Sequence, residues 1–175
     1  MGNLHGDEYR GRSAPRIGGG ARGFTHWGQI VTIRYVIQEA KSASLFTPLR
    51  VLVYSSNADV RTRIQSALGR LPDSAVAPLD FVEAATAAAV LRITATGSID
   101  LAILDGEATP CGGIGLAKQL KDELLQYLPI VVITARPDDA WLACWSRADA
   151  VVSHPVDPLE LRAEVLPLLR DRMLV

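Results

Sequence analysis

From Leu49 onward, short apolar runs alternate with longer stretches in which apolar positions recur every three or four residues. The short runs predict strands over Arg50 to Tyr54, Asp80 to Glu83, Leu101 to Leu104, Ile130 to Thr134 and Ala150 to Val152. The longer stretches predict helices over Ala58 to Leu68, Thr86 to Thr96, Ile114 to Tyr127, Asp138 to Ala148 and Pro158 to Leu174. Strands and helices in strict alternation read as βα units on a parallel sheet. Local chemistry marks several boundaries. Asn57 suits an N-cap, and Gly69 stands where a glycine ends a helix. Asp157-Pro158 is a cap followed by proline at the first helical position. Leu161, Val165 and Leu168 form the expected core stripe of the last helix, with Pro167 inside it as a candidate kink.

Residues 1–48 follow a different pattern and are expected to be a flexible, partly disordered leader to a domain over 49–175. The first 24 or so residues are rich in Gly and Arg and cannot bury enough apolar area to offset their ordering entropy. Gly18-Gly19-Gly20 lacks the preceding strand and the Gly-Lys-Ser/Thr ending of a phosphate loop. The segment from Ile30 to Ile37 fits a strand or a short helix, and periodicity does not decide between them.

A net charge of -1 over 175 residues argues against a polyanionic partner. Arg10, Arg12, Arg16 and Arg22, near the start of the leader, read as solvating charges, so no direct nucleic-acid binding is expected. No apolar run approaches the ~18 residues of a membrane span, and no signal core follows the N-terminus. A cytoplasmic location is expected. Cys111 and Cys144 are far apart and read as two ordinary thiols. They have no ligand spacing with His5, His26 or His154.

The candidate chemistry sits where the apolar runs end. Asp105 closes the third run, and a strand tip is where an open α/β sheet presents a reactive group. Thr134 closes the fourth, Ser153-His154-Pro155 the fifth, and Ser55-Ser56-Asn57 the first. No serine lies in a GxSxG elbow, and no histidine–acid pair is arranged for hydrolysis, so no enzyme activity is expected. Trp141 and Trp145 are four apart and share one helix face. That face is either core or, if it points outward, an interface anchor.

From about Leu49 to the end, the chain resembles the receiver domain of two-component response regulators. The resemblance rests on Asp105, Gly113 in the next loop, Thr134, the His154-Pro155 pair and Asp157-Pro158-Leu159-Glu160-Leu161, all in register. It implies an α/β, flavodoxin-like, doubly wound five-stranded parallel sheet in the order 2-1-3-4-5, with helices on both faces. It puts Asp105 at the phosphoacceptor position, where a carboxylate attacks a phosphoryl group. It puts Thr134, His154 and Pro155 at the phosphate-contact and switch positions. It implies a histidine kinase or other signalling protein as partner, and a face of the fourth helix, fifth strand and fifth helix that can pair with a partner or a second copy.

The departures from the family pattern are specific. Ser55 and Ser56 stand where a receiver carries two Mg²⁺-binding acids, and His154 stands where it carries a lysine. Val151 falls where many receivers have an aromatic switch residue. Mg²⁺ is held mainly through carboxylates and water, so two hydroxyls in their place predict weak or absent binding and no resident cofactor. Asp59 is acidic but lies a turn too late. His154 reads either as a turn residue before a proline or, because receivers bring these two positions together, as the partner of Asp105 in an ion pair. The expectation is an atypical single-domain receiver acting by protein contact. The rival reading is a ligand- or redox-responsive binding module on the same fold, with Cys111 as its sensor.

Overall fold

The computed structural model describes residues 47–124 and 127–174. Residues 1–46, with most of the expected leader and the Ile30–Ile37 segment, lie outside the described residues. Five strands form one sheet: β1 (Leu49–Tyr54), β2 (Leu79–Ala84), β3 (Leu101–Asp105), β4 (Ile130–Thr134) and β5 (Ala150–Ser153). Every neighbouring pair is parallel and the order is β2-β1-β3-β4-β5. The helices are α1 (Ala58–Leu68), α2 (Ala87–Thr94), α3 (Gly113–Glu123), α4 (Ala140–Ser146) and α5 (Pro158–Arg172).

The apolar runs are continuous because the central strands are buried on both faces. Side chains of successive strand residues point to opposite sides. Val51 and Val53 accordingly join one core, with Ile64 and Leu68 of α1 and Leu161, Val165 and Leu169 of α5. Leu52 and Tyr54 join the other, with Val90 of α2 and Leu116 and Leu120 of α3. The α5 stripe thus ends on Leu169 rather than Leu168, which is only partly buried. The helix runs on through Pro167.

The capping expectations hold at three ends. Asn57 accepts from the Asp59 amide, and Asp157 from the Leu159 amide. Gly69 takes φ 69° at the end of α1, a conformation in which a Cβ is strained. Several helices are shorter than their periodicity predicts. α3 stops at Glu123, with Leu124 extended. α4 is preceded by a 3-10 turn at Pro137–Asp139 and ends at Arg147, which is left-handed at φ 60°. Trp141 and Trp145 are 65% and 55% exposed, so the core reading of this pair is wrong. Truncating both to alanine is therefore expected to leave folding stability within about 1 kcal/mol, measured by urea denaturation.

Asp149 fastens the amino end of the sheet. One of its oxygens accepts from the Ile130 amide at 2.7 Å and from the Lys121 ammonium at 2.6 Å. The other accepts from the Tyr127 hydroxyl at 2.6 Å. Tyr127 as a residue is exposed, yet its hydroxyl end sits against this carboxylate. Burial first, then the hydrogen bond to Asp149 and its charge, push the Tyr127 phenol from 10.0 up to about 12. A pKa raised in the folded state stabilises the protein fully below the unfolded value, and the contribution is lost as pH rises through the folded value. Unfolding free energy should therefore fall between pH 10 and about 12. Comparing the wild type with Tyr127→Phe at each pH isolates this contribution, and the substituted protein should lack that part of the fall.

Candidate functional site

The site lies at the carboxyl ends of the strands, where β1, β3, β4 and β5 each release a polar residue. Asp105 is 3% exposed. A buried carboxylate needs partners for its lone pairs, and Asp105 has them on both oxygens. Oδ2 accepts from the Ser55 hydroxyl at 2.7 Å. Oδ1 accepts from the Glu107 amide at 3.0 Å and stands 3.3 Å from His154 Nε2. The expected juxtaposition of Asp105 and His154 is therefore present.

Ser55 is fully buried, and its geometry is set twice over. Its hydroxyl oxygen accepts from the Asn57 amide at 3.0 Å, which leaves its single hydrogen to point at Asp105. Its carbonyl accepts from Arg61 Nη1 at 2.8 Å. Ser56 is exposed. Its hydroxyl accepts from the Thr109 amide at 3.0 Å and so ties the β3–α3 loop to the tip of β1. Tyr54 makes a second tie, donating its hydroxyl to the Cys111 carbonyl. Burial, with Cys111 and Asp105 nearby, raises the Tyr54 phenol above its ordinary value, so it stays a donor at neutral pH. The Cys111 thiol itself is free and half-buried.

Gly113 opens α3 directly beneath the site. A Cβ there would lie 2.6 Å from the Asp105 carbonyl oxygen, so only glycine lets the helix start so close to the strand. Gly106 is similarly confined by the Ile133 carbonyl at 2.7 Å.

Thr134 is buried, and its hydroxyl is engaged by groups other than Asp105. It donates to the Arg136 carbonyl at 3.0 Å and lies 3.4 Å from the Ser153 hydroxyl. The backbone around it is fixed by the His154 amide, which donates to the Thr134 carbonyl at 2.9 Å. The His154-Pro155 bond is cis. Val151, at the place expected for an aromatic, is half-buried on β5.

The partners around Asp105 are chiefly donors. A cation beside this carboxylate would need acceptors there instead. Among the described residues no group of three His, Cys, Asp or Glu side chains is placed to hold a metal. Among them, too, no buried side-chain nitrogen or oxygen lacks a partner. Sequence reading found Asp105, Ser55 and His154. It missed Glu107, whose amide does the work whatever its side chain, and Arg61, which reaches the Ser55 carbonyl six residues back and Glu83 twenty-two residues on.

Proteins of known class share this arrangement of strands. The chain is 58% identical over 124 residues to response regulatory proteins from two strains of Mycobacterium tuberculosis. Each match spans 71% of this chain and 93% of the relative, and both relatives are described as uncharacterised. No protein-family model matches the chain. Among solved structures, the signal receiver domain of an HD domain-containing protein from Pseudomonas fluorescens superposes with a TM-score of 0.62 at 19% identity. That match covers 74% of this chain and 93% of the other. The chemotaxis response regulator CheY4 of Vibrio cholerae gives 0.57 at 19% identity, covering 70% and 100%. These structures establish the fold, and the mycobacterial relatives establish the family.

The chain belongs to the response regulators, the proteins of two-component signalling. The strands and helices between Leu49 and Arg172 form a receiver domain, with the five-stranded order that defines the fold.

Proposed function

We propose that this receiver keeps Asp105 at the phosphoacceptor position but holds it in a closed, metal-free set of hydrogen bonds. It signals through its surface rather than by Mg²⁺-dependent phosphoryl transfer. The observation that carries this reading is the Ser55 hydroxyl on Asp105 Oδ2 at 2.7 Å, where the family pattern places an acid. An acid at this point would leave two carboxylates together and call for a cation between them. Serine supplies a hydrogen instead, and the pair is satisfied without an ion. Ser56, at the second acidic position, is engaged with the loop.

Phosphoryl transfer to a carboxylate depends on positioning and on neutralising the charge of the phosphoryl oxygens. The side chains available for that here are His154, and Thr134 once its hydroxyl leaves the Arg136 carbonyl. That supports very slow or absent modification of Asp105. The protein incubated with acetyl phosphate and millimolar Mg²⁺ should keep its intact mass. A stoichiometric gain of one phosphoryl group, lost in Asp105→Asn, would sink the proposal.

The output in this reading is a protein contact on the side of α4, β5 and α5. Trp141 and Trp145 stand exposed on α4, and β5 is an edge strand. Exposed tryptophans of this kind anchor interfaces through large apolar contacts. A histidine kinase, another signalling protein or a second copy of the chain is the partner, and the cytoplasm is the expected setting. Among the described residues no helix is long and apolar enough to cross a membrane.

A further inference from the structure

We propose that Arg61 is a positioning residue for Asp105, acting through Ser55. The inference rests on the reading of Asp105 as a carboxylate held by internal donors.

Arg61 lies on α1, and its side chain is only 14% exposed. The guanidinium has two jobs in two directions. Nη1 donates to the Ser55 carbonyl at 2.8 Å, and Nε donates to Glu83 of β2 at 2.7 Å. Gln65, one turn further along α1, donates to the other oxygen of Glu83 at 2.9 Å. These bonds, the Arg61 one foremost, hold the Glu83 carboxyl below its ordinary range. A continuous line of contacts therefore runs from Glu83 through Arg61 and the Ser55 peptide to the Ser55 hydroxyl and Asp105.

The Ser55 hydroxyl reaches Asp105 only if the turn from Ser55 to Asn57 keeps its place. The Asn57 amide fixes the hydroxyl oxygen from one side, and Arg61 fixes the carbonyl from the other. Without Arg61, the carbonyl of a fully buried residue loses its charged donor and the turn is free to shift. The charge of Arg61 is already matched by Glu83, so what it supplies to Asp105 is geometry. Lysine cannot replace it well, because an ammonium on a flexible stem lacks the rigid fork that meets two acceptors at once. The outer end of the line is open: the Glu83 side chain is 50% exposed. A basic side chain of a partner that takes this carboxylate from Arg61 would loosen Ser55, and Asp105 would feel it without any phosphoryl group.

A claimed line of coupling requires a direct test of coupling, and a double-substitution cycle supplies one. The readouts are the side-chain carboxyl carbon resonance of Asp105 and the amide resonance of Glu107, which donates to it. Melting temperature is not used, since any structural defect would lower it. Arg61→Ala and Glu83→Gln should each shift both resonances, and Arg61→Lys should restore them only in part. In a Ser55→Ala background, Arg61→Ala should produce no further shift. Arg61→Gln keeps most of the volume and serves if the alanine variant folds poorly. A full shift from Arg61 substitution in the Ser55→Ala background would overturn the proposal. If Ser55→Ala moves the resonances and the Arg61 variants do not, the positioning role falls and the hydroxyl–carboxylate lock stands. If Ser55→Ala itself leaves them unmoved, both fall.

Discussion

Mg²⁺ is expected to raise the melting temperature of a Ser55→Asp/Ser56→Asp protein and to leave that of the wild type unchanged. The Ser55 hydroxyl is 2.7 Å from Asp105 Oδ2 in a fully buried position. A carboxylate there would face Asp105 at close range, with the hydrogen that now joins them removed. Like charges so placed raise each other's pKa and destabilise the fold, by about 3 kcal/mol or more without a counter-ion. A divalent cation relieves that repulsion and binds only the folded form. At an ion concentration of about 100 times the dissociation constant, the stabilisation amounts to about 2.7 kcal/mol. Thermal unfolding with and without Mg²⁺ checks the expectation. Ser56→Asp alone, at an exposed position, supplies a protein that should fold readily and gain a smaller response. A wild-type protein stabilised by millimolar Mg²⁺ as strongly as the double variant would contradict the account.

Asp149→Ala should cost about 3 kcal/mol of folding stability. The loss is large because one side chain serves three donors. Its carboxylate takes the Ile130 amide at the entry of β4, the Lys121 ammonium from α3 and the Tyr127 hydroxyl. Removing it leaves the Ile130 amide without that partner and Lys121 with the Leu128 carbonyl and the face of the Tyr127 ring but no counter-charge from Asp149. Asp149→Asn keeps an acceptor for some of these donors and should cost roughly half as much. Urea denaturation should show a lower midpoint with an unchanged slope, the mark of a stability change without a change of compactness. The Asp105 site is at the opposite end of the strands, so the resonances of Asp105 and Glu107 should stay in place under native conditions.

The parts legible in the sequence were those governed by local or periodic rules. β1, β3 and β4 are buried on both faces, and unbroken apolar runs betray such strands. Asp105 could be found because it ends such a run, and Gly69 and Asp157 because caps are local chemistry. Helix ends were less visible. The apolar residues Leu124, Tyr127 and Leu128 extend the α3 pattern past Glu123, although the backbone has already become extended at Leu124. The spacing of Trp141 and Trp145 puts them on one face but cannot say whether that face meets the sheet or water. The fine structure of the site was hidden for a related reason. Ser55 and Ser56 are adjacent and alike, yet one faces Asp105 and the other the β3–α3 loop. Arg61 meets Glu83 across 22 positions, a pairing that only the sheet order creates. Thr134 was read correctly as a strand-end hydroxyl, but its orientation toward the Arg136 carbonyl depends on the next turn.

The most direct test of a closed, metal-free Asp105 is a titration with beryllofluoride and Mg²⁺, followed by the backbone amide resonances of Asp105, Thr134 and His154. Beryllofluoride stands in for a phosphoryl group on the carboxylate. No saturable shift is expected at millimolar Mg²⁺, because Ser55, the Glu107 amide and His154 already occupy the carboxylate. Saturable shifts at these three residues that spread into α4 would contradict this expectation and show a receiver that works with serines in place of the acids.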